Sequence, residues 1–414
     1  MTLFAGSSRA GRFFAARCVY LVVWCATVML AGCATGSLNL ARDAFYSGDV
    51  RLASETLAED AGGMSRDRLL YFMEKGAIQH YAGDYQASAE TLLKAAALMR
   101  EQEIISAGQQ AASLVTTEWL MDYKGEYAER LWVHTFQMMN FLLLGRPESA
   151  LVEAKQALAV YDAYPEACND DYFTRALIAH CFEALDEING AYIEYKRLAE
   201  LMGNPGPVAR KLCDLGSRLG FDDEVAHFRQ FLPAPISQTP EAPVGETLIF
   251  LSQGRAPVKI PQDIILPKSI RFSFSVYEER GSYTPVPLVS PRAGLTGKSR
   301  ITTDVGHVLR TSLNQRLAQI MAKETARVAA KEAIANNIND SGAEALVRLV
   351  FLLMEVPDTR CWETLPAYFS LVRVPILPGD SPACAETNGM KTPAPIRDFL
   401  PSSRPFYHYC SFRN

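Results

Sequence analysis

The distribution of proline divides this chain into two parts that must fold by different rules. Only four of its 23 prolines lie between residues 33 and 232, whereas nineteen lie from Pro233 onward. Because proline has no backbone N–H and interrupts helices, the first part can be helical almost throughout and the second cannot. The crowding of four prolines between residues 233 and 243 predicts a semi-rigid linker over residues 233–245.

The first 32 residues predict a lipoprotein signal peptide. Three arginines and no acidic residue precede Cys18, and the thirteen residues from that cysteine onward carry no charge. This apolar run is shorter than the roughly 20 residues that span a bilayer as a helix. The alternative is an ordinary cleaved secretory signal that ends at a cysteine by chance.

The end of that segment carries Leu30, Ala31 and Gly32 directly before Cys33. This run resembles the lipobox of bacterial lipoproteins, which implies that the mature chain begins at Cys33 with acyl chains such as palmitate on it. Several acyl chains anchor a protein to a membrane effectively permanently. Because the next residue is Ala34 rather than an aspartate, the resemblance implies the outer membrane of a Gram-negative bacterium, facing the periplasm.

Composition is typical of a globular protein. The 414 residues are 49% hydrophobic and 21% charged, with a net charge of −5. Loss of the three signal-peptide arginines would leave 38 basic against 46 acidic residues, a net charge of −8. A protein with this negative net charge is not attracted to nucleic acid or to anionic lipid. We therefore expect no nucleic-acid partner, and we expect the attached acyl chains to anchor the protein without help from a basic patch.

Residues 33–232 repeat a pattern in which a turn is followed by a small residue. The small residues are 35, 62, 41 and 34 positions apart, and two of these intervals match the tetratricopeptide period. Glycine ends a helix in left-handed backbone, and a small side chain lets two helices approach closely. We therefore predict tetratricopeptide-like helical hairpins, with an extra helix near residues 103–120; an unrelated helical bundle is the alternative. The turn glycines are Gly48, Gly83, Gly145 and Gly220, the packing residues are Ala53, Ser88, Ala150, Ala191 and Val225, and Gly76 occupies the family's small position in a first helix.

Arrays of such hairpins curve, and their concave face commonly binds a peptide or a protein. The sequence therefore predicts a protein-binding scaffold, with an unidentified envelope protein or peptide in the groove of the repeats. Aromatic residues at helical spacing can equally belong to the core. Candidates for the concave face are Tyr85, Tyr127, Trp132, His134 and Asn140.

Residues 246–379 predict a smaller α+β domain, so the chain as a whole is expected to be mainly α. Period-two alternation is typical of half-buried strands, and apolar residues at helical spacing indicate helices. The predicted strands lie near residues 246–252, 270–276 and 370–374, one helix runs from an N-cap at Thr303 or Asp304 to Ala335, and a second helix covers residues 343–354.

Residues 254–259 and 357–366 of this domain, followed by Arg373, resemble the recurring motifs of a family of uncharacterised bacterial outer-membrane lipoproteins that combine tetratricopeptide-like repeats with an α+β domain. The resemblance ends near residue 379 and leaves residues 380–414 as a proline-rich tail. It implies a lipid-anchored scaffold, or alternatively a regulator of peptidoglycan synthesis that contacts a synthase, and it supplies no catalytic residue. The motif residues are Gly254, Pro257, Lys259, Asp358, Arg360, Trp362, Leu365, Pro366 and Arg373.

We interpret these motif residues as structural. Asp358 and Arg360 lie too close in sequence to face each other readily, so we expect Asp358 to accept backbone N–H groups and Arg360 to stack near Trp362. Arg255 and Lys259 could hold an anion such as a lipid or glycan acid. Two cations at a strand edge are, however, more often solvated.

No catalytic pattern is present in the sequence. It contains no nucleophile elbow, phosphate loop or dinucleotide fingerprint, and its six histidines are scattered. We therefore predict no enzymatic activity, no cofactor and no metal, with an envelope hydrolase as the disfavoured alternative. A zinc site at His180 and Cys181, completed by Cys168 or Cys213, is the disfavoured metal alternative.

Six cysteines remain in the mature chain once Cys33 is counted as lipidated. An oxidising periplasm permits disulfides. Cys384 with Cys410 is the candidate pair because it would tie down the proline-rich tail. The alternative is that these cysteines are free and buried.

Overall fold

The computed structural model describes residues 36–57, 66–109, 121–232, 245–266, 270–283, 300–338, 340–353, 356–376 and 405–412. The predicted signal peptide, its lipobox with Cys33, most of the proline linker and Cys384 therefore lie outside the described residues. Within the described ranges, no helix is both long and apolar enough to cross a membrane.

Helical hairpins build the first part of the chain, and the predicted fold class is confirmed. Consecutive helices pack in pairs as α1–α2, α3–α4, α5–α6, α8–α9 and α10–α11. The helices are α1 (Gly36–Tyr46), α2 (Val50–Thr56), α3 (Arg68–Tyr81), α4 (Tyr85–Gln109), α5 (Tyr127–Leu143), α6 (Pro147–Ala163), α7 (Pro165–Cys168), α8 (Tyr172–Ala184), α9 (Ile188–Met202), α10 (Ala209–Leu219) and α11 (Asp222–Arg229).

The turns and small residues of the repeat pattern lie at the joints of these hairpins. Gly220 ends α10 with a φ of 75°, and the other three turn glycines also have positive φ. In the turn between α8 and α9, which has no glycine, Asp186 adopts a φ of 59°. A Cβ on Gly76 would lie 2.5 Å from the Leu92 side chain, so α3 and α4 can cross only because that position is bare. All five packing residues are buried.

The long interval of the repeat differs from its prediction. Its described part is one continuous helix, α4, which runs from Tyr85 to Gln109, and not a separate helix that begins near residue 103. Residues 110–120 lie outside the described ranges.

The second part of the chain forms a four-stranded sheet, a two-stranded ribbon and a helical pair. The sheet order is β4-β5-β1-β6, in which β5 is antiparallel to both β1 and β4 while β6 runs parallel to β1. The ribbon consists of antiparallel β2 and β3. The elements are β1 (Gly245–Gln253), β2 (Val258–Leu266), β3 (Ile270–Glu278), β4 (Arg300–Asp304), α12 (Val305–Asn336), α13 (Ser341–Leu353), β5 (Tyr368–Ile376) and β6 (Phe406–Phe412).

Strand β6 comes from the predicted proline-rich tail, which therefore contributes to the sheet and is not merely an appendage. β1 buries both of its faces, with Leu248 and Phe250 on one and Ile249 and Leu251 on the other. Such a strand needs a hydrogen-bonding neighbour on each edge, and residues after the proline-rich stretch supply the second one.

The sheet lies against the first helices of the hairpins. α8 contacts β4 and β5, and α5 contacts β6. The ring of Phe369 on β5 stacks on Phe173 with centroids 5.2 Å apart and lies 5.7 Å from Phe136. One buried apolar cluster consequently runs through both parts of the chain. The chain's own sheet therefore covers α5 and α8, and these two helices are not open to a partner on that side.

Candidate functional site

The motif residues singled out in the sequence lie where the second part of the chain meets the helical array. Five of them belong to the motif loop, which we define as residues 356–367 between α13 and β5. The others lie at the β1–β2 turn, on β2 and on β5. The candidate site is therefore a docking seam, defined here as the motif loop with Lys259 and Arg373 and the helical residues that they contact.

Arg360 ties the motif loop to the helical array. Its guanidinium donates to Asp358 from Nε and Nη2, over 2.8 and 2.7 Å, and forms an ion pair with Asp67. Nη2 also donates to the carbonyl of Met121 over 2.9 Å, and the guanidinium lies 5.4 Å from the ring centroid of Tyr123. Asp358 and Arg360 therefore do face each other, and the aromatic neighbour is Tyr123; both expectations were wrong.

The first of these expectations failed because of the way the loop bends. Asp358 also accepts the backbone N–H of Arg360 over 3.0 Å, as predicted, and that bond bends the loop until the two side chains meet. The indole of Trp362 instead donates to Thr364 Oγ1 over 3.0 Å.

Two buried carboxylates of the helical array accept backbone N–H groups of the motif loop. Glu74 accepts from the amides of Glu363 and Thr364, over 2.8 and 3.2 Å, while Arg42 donates to it over 2.9 Å from Nε and 2.6 Å from Nη2. Glu129 accepts from the amide of Trp362 over 2.7 Å. Hydrogen bonds to a charged acceptor are stronger than neutral ones, so these contacts fix the loop backbone firmly.

Glu129 completes a second set of bonds on its other oxygen. Oε2 accepts from the Tyr123 hydroxyl and from the Glu126 amide, each over 2.6 Å. Burial raises the pKa of Glu129, because the charged form loses its hydration inside the protein. Sequence reasoning missed both carboxylates, although each lies among apolar residues of its helix, as Glu129 does before Leu131 and Trp132. A charge at an apolar helical position is the signal that could have found them.

Lys259 is buried in the seam. Its ammonium lies 2.6 Å from Glu126 Oε1, and Arg316 of α12 lies 2.8 Å from Glu126 Oε2. Burial alone would raise the pKa of Glu126, but the charges of Lys259 and Arg316 outweigh it and lower that pKa to about 2. The expectation of a solvated lysine was wrong, and Lys259 does not join Arg255 in an anion site.

Arg373 anchors β5 to the far end of the array. Nη1 lies 2.8 Å from Glu246, and Nη2 lies 3.2 Å from Glu183 of α8. Lys211 of α10 lies 2.6 Å from the same Glu183. Strand β6 adds a further bond here, since the hydroxyl of Tyr407 lies 2.9 Å from the imidazole of His180.

Asp171 links three elements through one carboxylate. It caps α8 by accepting the Thr174 amide over 3.2 Å, a role that an aspartate directly before a helix commonly takes. It also accepts from the Trp132 indole and from the Thr303 hydroxyl of β4, each over 2.8 Å. The second role was not predicted, because Thr303 is far away in sequence.

The residues predicted for the concave face take part in internal packing. Trp132 bonds Asp171, and its ring lies 6.2 Å from that of Phe369. Asn140 bonds His80 over 2.6 Å, and His134 bonds Glu153 over 2.7 Å. The two tyrosines are partly buried: Tyr127 stacks on Tyr164 with centroids 3.7 Å apart, and Tyr85 lies 5.3 Å from His80.

A cleft of about 670 Å³ lies beside the seam, at the turn after β1. The guanidiniums of Arg255 and Arg280 lie 4.7 and 4.8 Å from the ring centroid of Tyr46. Gly254 has a φ of 70°, and a Cβ there would lie 2.8 Å from the ring of Tyr283. Because Asp304 and Glu279 line the same cleft, its charge is mixed and does not favour a simple anion.

The described residues do not assemble a recognisable catalytic or metal-binding group. No cluster of three or more His, Cys, Asp or Glu side chains in these ranges could hold a metal ion. Cys168, Cys181, Cys213 and Cys361 are free and buried. Burial raises the pKa of the Cys361 thiol to about 12, which keeps it protonated and unreactive. Cys410 is disulfide-bonded, and its partner lies outside the described residues, so the pairing with Cys384 stays a prediction.

No family model and no curated protein matches the chain. Among solved structures, MamA from strain AMB-1 is 14% identical, with a TM-score of 0.33 over 48% of this chain and 88% of that chain. MamA from Desulfovibrio magneticus RS-1 is 13% identical, with a TM-score of 0.32 over 49% and 92%. A Podosopora anserina kinesin light chain protein with nearly identical TPR-like repeats is 15% identical, with a TM-score of 0.33 over 47% and 91%.

Proposed function

We propose that this chain is a non-enzymatic, protein-binding scaffold of the bacterial cell envelope, tethered to the outer membrane by lipid on Cys33 and facing the periplasm. The sequence Leu30-Ala31-Gly32-Cys33 supports the tether. The stacked helical hairpins support the scaffold, because such arrays offer extended surfaces to other proteins.

The observation that carries the proposal is a set of exposed apolar side chains on the second helices of the hairpins. Leu52, Leu93, Val152 and Ile193 lie on α2, α4, α6 and α9, and each is between 44% and 57% exposed. Val152 and Ile193 each lie two residues after a small packing residue, so they occupy equivalent positions in their hairpins. Since the chain's own sheet covers the first helices α5 and α8, we place the partner on these second helices, whose exposed apolar side chains we call the outer face.

Site-specific photocrosslinking in living cells tests the partner surface. A photoreactive amino acid at position 152 or 193 should capture the same protein, identified by mass spectrometry. Leu346 on α13, which is 37% exposed, is the matched apolar control and should not capture it. Capture of that protein from all three positions, or from the control alone, would contradict the proposal.

A substitution in the outer face separates specific binding from chance proximity. Val152→Asp with Ile193→Asp should abolish the crosslink formed from position 93 while circular dichroism stays unchanged, since both side chains are exposed. If the captured partner is a peptidoglycan synthase, the scaffold is a regulator of wall synthesis, which is the narrower form of this proposal.

The tether is tested independently of the partner. We expect mass spectrometry to find an acylated Cys33 at the mature amino terminus. Cys33→Ser should prevent both acylation and signal removal. An unmodified cysteine at the terminus of the wild-type protein would refute the tether and leave the scaffold to be judged by the crosslinks.

A further inference from the structure

The β2–β3 ribbon has two unlike faces. Its strands pair over nine positions, from Val258 with Glu278 to Leu266 with Ile270, and they form a sheet separate from the four-stranded one. Side chains alternate between the faces of such a ribbon. Lys259 pairs with Tyr277 and contacts Glu126 of the helical array, so this pair defines the inner face.

The outer face is almost entirely apolar. From the pair of Ile260 with Val276 to the last pair of the ribbon, Leu266 with Ile270, Gln262 is the sole polar residue of this face. Among the outer-face residues whose side chains are described, none belongs to a buried apolar cluster. These paired residues are Ile260 with Val276, Gln262 with Phe274, and Ile264 with Phe272.

Toward the tip, apolar side chains are exposed on both faces. Ile264 on the outer face is 45% exposed, and Ile265 on the inner face is 70% exposed. Asp263 accepts from Arg271 over 2.7 Å and from Ser273 over 2.5 Å, so the nearby opposite charges pair with each other. A helix or sheet of a protein partner would cover one face, whereas the acyl region of a bilayer surrounds both.

The ribbon also has the reach that such a contact requires. Nine residues at about 3.4 Å each extend roughly 30 Å. Lys259 fixes the base of the ribbon in the docking seam, and α12 contacts β3. Ile264 and Ile265 near the tip are thus accessible while the base of the ribbon is held in place.

We propose that the ribbon tip, defined as Ile264, Ile265 and Phe272, inserts into the acyl region of the lipid bilayer to which the chain is tethered. The inference rests on the proposed function only for the identity of that membrane. Ile264 and Ile265 are exposed and would lose contact with water on insertion, and the half-buried Phe272 extends the same apolar surface. The contact would fix the orientation of the scaffold, which a flexible lipid tether alone leaves free.

Depth-dependent quenching of a fluorophore tests the insertion. The full chain carrying Ile265→Cys is labelled with an environment-sensitive dye and reconstituted into phosphatidylcholine vesicles that contain spin-labelled acyl chains. The four free native cysteines of the described ranges are buried and label slowly. We expect a blue-shifted emission and severalfold stronger quenching at position 265 than in the matched control Val152→Cys, whose native side chain is also exposed.

A second variant guards against a label that seeks lipid by itself. Ile264→Asp beside the same probe should reduce the quenching to the control value, whereas Val152→Asp should leave it unchanged. Equal access of aqueous iodide to positions 265 and 152 would overturn the inference, as would dye-independent dimerisation through the tip without quenching by lipid. The mass of the Cys33 terminus in the same sample distinguishes the two proposals: a lipidated chain with an unquenched tip refutes the insertion alone, and an unlipidated chain with a quenched tip refutes the tether alone.

Discussion

The ammonium of Lys259 is buried in the interior, and the carboxylate of Glu126 compensates for its charge. The side chains are 5% and 2% exposed, so Glu126→Gln would leave a buried ammonium without its carboxylate. Breaking a buried ion pair on one side costs about 3–5 kcal/mol. We expect that loss in the free energy of unfolding, measured in urea by circular dichroism. Glu55→Gln removes the partner of Arg51 in an exposed ion pair and should cost under about 1 kcal/mol; equal losses in the two variants would contradict this account.

His80 should make the protein less stable in mild acid. Burial lowers the pKa of its imidazole to about 4, although the hydrogen bond that its Nδ1 donates to Asn140 Oδ1 opposes the shift. The unfolded histidine takes up a proton below its ordinary pKa of 6.5 and the folded one does not, so its stabilising contribution is complete above pH 6.5 and is lost as the pH falls toward 4. In His80→Gln, the slope of unfolding free energy against pH in this window should fall by up to about 1.4 kcal/mol per unit, the value for one proton. Urea titrations across the window measure the slope, and an unchanged slope would show that His80 is protonated in the fold.

At the scale of elements, β5 is the strand that joins sheet to array. Phe369 is fully buried and stacks on Phe173 of α8. Phe369→Ala should cost about 3–5 kcal/mol, because the surrounding side chains cannot fill the space of the ring. Val152→Ala, at an exposed position, should change the free energy of unfolding by no more than about 0.5 kcal/mol. Thermal unfolding of both variants provides the comparison, and a Phe369 variant as stable as the control would mean that sheet and array touch without being coupled.

The sequence predicts elements well where local chemistry decides them. Asp304 was a candidate cap, and it accepts the His307 amide over 2.9 Å at the start of α12. The alternation that predicted a strand over residues 270–276 belongs to β3, which extends to Glu278. Strand β6 could not be predicted in the same way, because its place beside β1 depends on a neighbour more than 150 residues away.

The same limit applies to the candidate site. Periodicity shows that α5 and α8 have apolar faces, but it does not show what covers them. The motif residues were recognisable as a group in the sequence. The role of Glu74 and Glu129, which accept backbone N–H groups of the loop, is visible only in the folded structure, where the loop packs against their helices. Sequence periodicity does not show which distant segments of the chain contact each other.

At the scale of the whole molecule, the linker and the core lead to different expectations about whether the two parts fold independently. Four prolines near residue 240 suggest two independent domains, whereas the buried apolar cluster and the ionic contacts of the docking seam bind both parts into one unit. Two fully buried tryptophans can decide between these descriptions, since Trp132 lies on α5 and Trp362 lies in the motif loop. If the core governs unfolding, both parts must lose structure together.

We therefore expect the two parts to unfold in a single cooperative transition. In a Trp119→Phe background, which removes the other tryptophan outside the predicted signal peptide, Trp362→Phe leaves Trp132 to report on the array, and Trp132→Phe leaves Trp362 to report on the seam. Each variant will shift the midpoint somewhat, so the comparison is made within each variant, between its tryptophan fluorescence and its far-ultraviolet circular dichroism. Coincident urea midpoints in both variants would establish one unit. If Trp362 fluorescence changes at a lower urea concentration than the helical signal of the same variant, the sheet undocks first, and the surfaces of α5 and α8 that it covers become available to a partner under conditions in which the hairpins remain folded.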